Sequence, residues 1–129
     1  MSLDELVHAI RTFPGVTRKN PIHEIVDLLP LDKFPQVVAA AGEDAAAVEF
    51  GDKYLLMAAD GIMPSLVRLE PFYAGYFAVL VNINDIAAMG GVPIAMVDVI
   101  SMISTKVCSQ MLKGVEQAVR KFGVPVVGG

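Results

Sequence analysis

Several things are scarce in this sequence, and each scarcity removes a class of function. Among 129 residues there is one cysteine, Cys108, so no disulfide can form within the chain, which fits a cytoplasmic protein. Cys108 falls at helical spacing with Val107, Met111 and Val115, the place of a small core residue rather than of a nucleophile. Charged residues are only 19% and the net charge is −4. No basic stripe exists beyond Arg18-Lys19, too short a footprint for nucleic acid as a partner. No apolar run reaches the roughly 18 residues a membrane span needs. The longest candidate, Ala74 to Met89, is broken by Asn82, Asn84 and Asp85. Asp4 and Glu5 stand where a secretory signal would carry basic residues, which excludes that signal. Linkers, repeats and low-complexity segments are lacking as well.

What the chain does have is apolarity. Hydrophobic residues make up 54% of it and the mean hydropathy is +0.56. A domain of this size buries about two-thirds of its unfolded surface. Excess apolarity without a membrane segment predicts a large protein–protein surface, either in a homodimer or against a further domain. The sequence stops at VPVVGG, where a strand has just reached a glycine pair, so it reads as the N-terminal half of something longer.

Periodicity and turn residues predict a short amphipathic helix over residues 2–12, ended by Phe13-Pro14-Gly15, then the loop GVTRKNP and a second helix from Pro21 to Leu29. Ala45–Phe50 and Lys53–Ala59 read as strands joined by Gly51-Asp52, a link suited to a tight hairpin. Pro71 opens a helix that runs to Met89 and is closed by Gly90-Gly91. Val92–Ile103 reads as a strand. Ser104 caps a helix to Phe122, with Gly123 as its stop, and Val124–Val127 is the last strand. The order ββαβαβ predicts an α+β domain over residues 41–129, with a four-stranded sheet and helices on one face. Residues 1–40 form a helical and loop extension. The other sheet face must be covered by something outside the chain.

Three carboxylates sit in apolar sequence: Asp44 in GEDAAAV, Asp60 in YLLMAAD and Asp85 in NINDIAAMGG. Burying a lone carboxylate is costly, so three of them in separate elements point to one shared cation. The hairpin register places Phe50 opposite Lys53, Glu43 opposite Asp60 and Asp44 opposite Ala59. Opposed Cβ atoms are about 5 Å apart, and two negative charges at that distance repel by about 3 kcal/mol at an effective dielectric of 20. Strict alternation puts Asp44 and Asp60 on opposite faces, so the hairpin end must fray for both to serve one ion. Asn82 and Asp85 share a face of the third element, on a helix that is apolar nearly all round. The bland alternatives are solvated loop acids in the hairpin and an Asp85 bonded to backbone amides. Mg²⁺ prefers carboxylate oxygens and keeps waters or phosphates as further ligands, which favours a Mg²⁺–phosphate site.

GEDAAAV, AAD, NINDIAAMGGVPIAM and the closing GVPVVGG together resemble the AIR synthase-like superfamily. That group includes aminoimidazole ribonucleotide synthetase, selenophosphate synthetase, thiamine-monophosphate kinase and a hydrogenase maturation factor. The family pattern is G-D-D-A-A-V, then T-T-D, then N-x-S-D-x-A-A-M-G-x-x-P, then a glycine pair, and the match runs from about Gly42 to Gly129. The resemblance implies an N-terminal domain that dimerises by closing two four-stranded sheets into a barrel. It further implies ATP near the interface, contacted by Asn82, Asp85, Arg18, Gly128 and Gly129, with Mg²⁺ on Asp44, Asp60 and Asp85. Phosphoryl transfer to a small molecule is the implied chemistry, and it rests on positioning and charge neutralisation.

The departures matter too. Glu43 stands for the first Asp, Ala58-Ala59 for the two threonines, and Asn84 for the serine. The N-terminal loop lacks the cysteine of selenophosphate synthetase, which weakens selenide chemistry. It keeps Lys19, the candidate catalytic residue, as a point charge for a phosphate, and Arg18 for a bidentate contact; a solvated basic turn is the alternative. The GVTRK loop also resembles an archaeal, methanogen-associated branch. Two other functions stay open: a maturation factor acting on a partner protein, and a non-catalytic dimerisation module. The family completes its site with a second domain, so these 129 residues alone are expected to bind nucleotide weakly or not at all.

Overall fold

The computed structural model describes residues 1–18, 20–101 and 104–129, with only the backbone of His23. It divides into two compact units, Met1–Val37 and Val38–Gly129.

The first unit is a series of short helices. Helix α1 (Leu3–Arg11) starts at a capping box: the Glu5 amide donates to Ser2 Oγ at 3.2 Å, and the Ser2 amide donates to Glu5 Oε2 at 2.6 Å. These reciprocal bonds satisfy amides that the helix itself leaves unpaired. Helix α2 (Pro14–Thr17) has proline at its start, so one helical turn occupies part of the segment expected to be a loop. Helix α3 (Pro21–Val26) is shorter than expected. Its continuation to Leu29 is a pair of turns, with the Leu28 and Leu29 amides bonded to Ile25 and Val26, before Pro30 and a 3₁₀ turn at Leu31–Lys33.

Strand β1 (Val37–Ala39) crosses the boundary into the second unit. It lies beside β2 (Ala46–Phe50), which pairs with β3 (Lys53–Met57). The β2–β3 ladder is antiparallel with Phe50 opposite Lys53, the register expected from the two-residue turn. Gly51 closes that turn at φ +65°, a conformation that L side chains resist. Helices α4 (Pro64–Leu69) and α5 (Pro71–Ala88) follow, α4 falling where the sequence pattern predicts no element. Strand β4 (Met96–Val97) then leads to α6 (Thr105–Phe122) and β5 (Val126–Gly128). As expected, Ser104 caps α6 by accepting from the Val107 amide, and Gly123 ends it in the left-handed region.

Two glycines set the distance between the long helices. A Cβ on Gly75 of α5 would overlap the Met111 carbonyl of α6, and one on Gly114 of α6 would overlap the Phe72 carbonyl of α5. The backbones therefore touch, and the core forms beside the crossing. Val79, Val115 and Ala118 are its buried centre, with Tyr76, Ile83, Met96, Val119, Phe122 and Val126 packed around them.

The expected α+β class holds, but the single four-stranded sheet does not appear among the described strands. They form a three-stranded sheet, β1-β2-β3, and a parallel pair, β4-β5. The expected long strand at Val92–Ile103 contracts to Met96–Val97. Pro93 lacks an amide for a ladder, and the β4–β5 register shifts between Met96 and Val97. Residues 102 and 103 of that predicted strand lie outside the described residues. Ala47 is buried on the inner side of the hairpin, so alternation turns Phe50, Leu55 and Met57 to the outer side. These are 73%, 43% and 50% exposed, while Val97 and Val127 are 72% and 67% exposed. The apolar face expected from composition is thus present and uncovered in this chain.

Candidate acidic site on helix α5

Helix α5 carries Asn82 and Asp85 in its last two turns. Asn82 is partly buried and its Nδ2 donates to the Ala78 carbonyl at 2.9 Å, which fixes the side chain along the helix. Asp85 is half-buried. Burial pushes its carboxyl above the usual carboxylate value, and the nearby charges of Asp60 and then Asp44 push it the same way. The carbonyl end of the helix dipole adds to this negative field. Among the described residues no basic side chain offsets this at Asp85.

The helix ends just beyond this residue in a Schellman arrangement. The Gly90 amide bonds to the Ala87 carbonyl and the Gly91 amide to the Ile86 carbonyl, both at 2.9 Å, with Gly90 at φ +74°. A Cβ on Gly91 would overlap Leu56 of β3. The end of α5 is thereby held against the strand that leads to Asp60.

Asp44 and Asp60 are exposed and lie outside the hairpin ladder, which stops at Ala46 and Met57. The fraying needed to free both acids from opposite faces is therefore present. Glu43 sits in an isolated bridge with Ala41, around Gly42 at φ +112°. The three aspartates share an electrostatic field, yet among the described residues no three acidic, histidine or cysteine side chains are gathered closely enough to ligate one metal ion.

The remaining candidates lie elsewhere. Arg18 caps the C-terminal end of α2, in the first unit. Lys19 lies outside the described residues. Gly128 ends β5 and Gly129 follows it; the Gly128 carbonyl accepts from the Asp98 amide at 2.8 Å. A Cβ on Gly129 would overlap the Asp98 backbone, and its φ of +146° is one that L side chains resist, so packing and backbone conformation both call for glycine there.

A groove of about 960 Å³ separates β3 from residues 91–99, with α5 at its base. Its walls are mostly apolar, and its polar lining includes Asp60, Asn82 and Asp98. Asp98 was missed in the sequence, although AMVDVI carries the same signal, a carboxylate in an apolar run, that singled out the other three.

A family model described as AIR synthase related protein, N-terminal domain, matches residues 42–129. An uncharacterized protein of Synechocystis is 47% identical over 68% of this chain and 27% of its own length. One from Methanocaldococcus jannaschii is 43% identical over 100% of this chain and 41% of its own. A phosphoribosylformylglycinamidine cyclo-ligase of the same archaeon is 32% identical over 66% of this chain and 26% of that enzyme. The chain therefore spans well under half the length of these curated relatives. Among solved structures, AaThiL complexed with AMPPCP and TMP matches with a TM-score of 0.64 and 26% identity, covering 81% of this chain and 35% of the other.

Proposed function

This chain belongs to the AIR synthase related family, and from that membership we propose that it is the nucleotide-handling N-terminal domain of an ATP- and Mg²⁺-dependent phosphoryl-transfer enzyme acting on a small molecule. The observation that carries the reading is Asp85: a half-buried carboxylate on the family-matched segment, with burial, Asp60 and Asp44 all opposing its ionisation. A divalent cation relieves all three penalties at once. The likeness to a structure holding AMPPCP, an ATP analogue, supports ATP as the nucleotide.

Asp44, Asp60 and Asp85 would hold the ion, with Glu43 adding charge at the hairpin end. Bound there, Mg²⁺ supplies the positive charge that lets a polyphosphate approach an otherwise repelling cluster of acids. Asn82, neutral and one turn before Asp85, offers a hydrogen bond to the nucleotide without adding repulsion. Gly128 and Gly129 offer backbone at the end of β5. Arg18 and Lys19 are proposed from the sequence alone as phosphate contacts, the first bidentate and the second a point charge. A second copy of the chain is the proposed cover for the outer sheet face that carries Phe50, Leu55 and Met57, completing the sheet as a homodimer.

Thermal unfolding with Mg²⁺ and AMPPCP, alongside calorimetric titration of Mg²⁺ alone, tests the site. The expected results are a rise in melting temperature that needs both components, and loss of that rise in Asp85→Asn with the fold retained. An unchanged melting temperature at saturating Mg²⁺ and AMPPCP overturns the nucleotide reading. A variant that keeps the full rise removes Asp85 from the site.

A further inference from the structure

We draw no further inference here: the strongest candidate, the apolar groove between β3, the base formed by α5 and residues 91–99 that also carries Asp98, belongs to the acidic site and uncovered sheet already described, and nothing in the structure shows what else would occupy it.

Discussion

The two units of this chain hold their helices in different ways. In the first, α1 and α2 bury no residue, and Leu3, Ile10 and Phe13 are among the exposed apolar side chains. What orders α1 is local: a capping box at its start, and the Thr12 amide and hydroxyl on the His8 carbonyl at its end. In the second, α5 and α6 touch backbone to backbone at Gly75 and Gly114 and share the Val79–Val115–Ala118 centre. An isolated helix of nine residues is marginal in water whatever its caps. Packing therefore carries the second unit, while the first rests on hydrogen bonds within a few residues.

The largest effect that would break this contrast is at the helix crossing. Gly114→Leu is expected to cost about 3 kcal/mol or more, because the new side chain has only the Phe72 carbonyl to displace. Leu6→Ala in α1 is expected to cost below about 1 kcal/mol. Urea unfolding of both variants measures the difference, and equal losses would remove the distinction between the units.

Next in size is the outer sheet face. Leu55→Glu is expected to weaken self-association at least about tenfold, equivalent to 1.4 kcal/mol, with the monomer fold intact. Sedimentation at several concentrations reads this, and a parent chain that stays monomeric at high concentration overturns the dimer.

A smaller effect separates the acidic site from the rest of the second unit. Asp85 binds its proton more tightly in the folded chain than its ordinary value of 3.8 allows. Its contribution is therefore fully present below that value and is lost as pH rises through the elevated folded pKa. Without metal, Asp85→Asn is expected to flatten this part of the stability–pH curve and to be the more stable chain at neutral pH. Chemical unfolding across acid pH checks the slope; an unchanged slope would show that Asp85 does not carry it.

The smallest effect is at the first cap. Ser2→Ala is expected to cost α1 about 1 kcal/mol, visible as faster amide exchange in residues 3–8 with no change in global unfolding. A global change would mean that α1 unfolds together with the rest.

The same contrast explains what could be read from the residues. The long helices were legible because punctuation and period agree: Pro71 with Gly90, and Ser104 with Gly123. The hairpin register was legible because Gly51-Asp52 admits a two-residue turn. Some shorter pieces were not. Helix α4 is six residues long and β1 is three, too short for periodicity to rise above neighbouring apolar residues, whereas the equally short β5 was read as Val124–Val127 from its place after the Gly123 stop. The long strand expected at Val92–Ile103 rested on composition, which records apolar character but not whether a ladder partner is available. For the candidate site, the sequence placed Asp85 and Asn82 on one helix and proposed the hairpin acids beside them; the helix and the end of the ladder short of both acids are observed. It overlooked Asp98, and it could not supply the glycine contact between α5 and α6. That contact depends on which helix faces which, and local sequence does not encode it.

The arrangement of α5 has a mechanical side. Gly75 and Asp85 lie ten residues apart on one unbroken helix, a separation of about 15 Å at the usual rise. The helix is fixed near one end by the crossing and near the other by Gly91 against Leu56, so the position of Asp85 follows both anchors. A tilt of about 4° at the crossing would carry Asp85 by about 1 Å, a displacement large enough to cost a positioned group much of its effect. Gly75→Ala puts a Cβ on the Met111 carbonyl, so it is expected to force the two helices apart, and the cost in stability and the displacement of Asp85 would then have one cause.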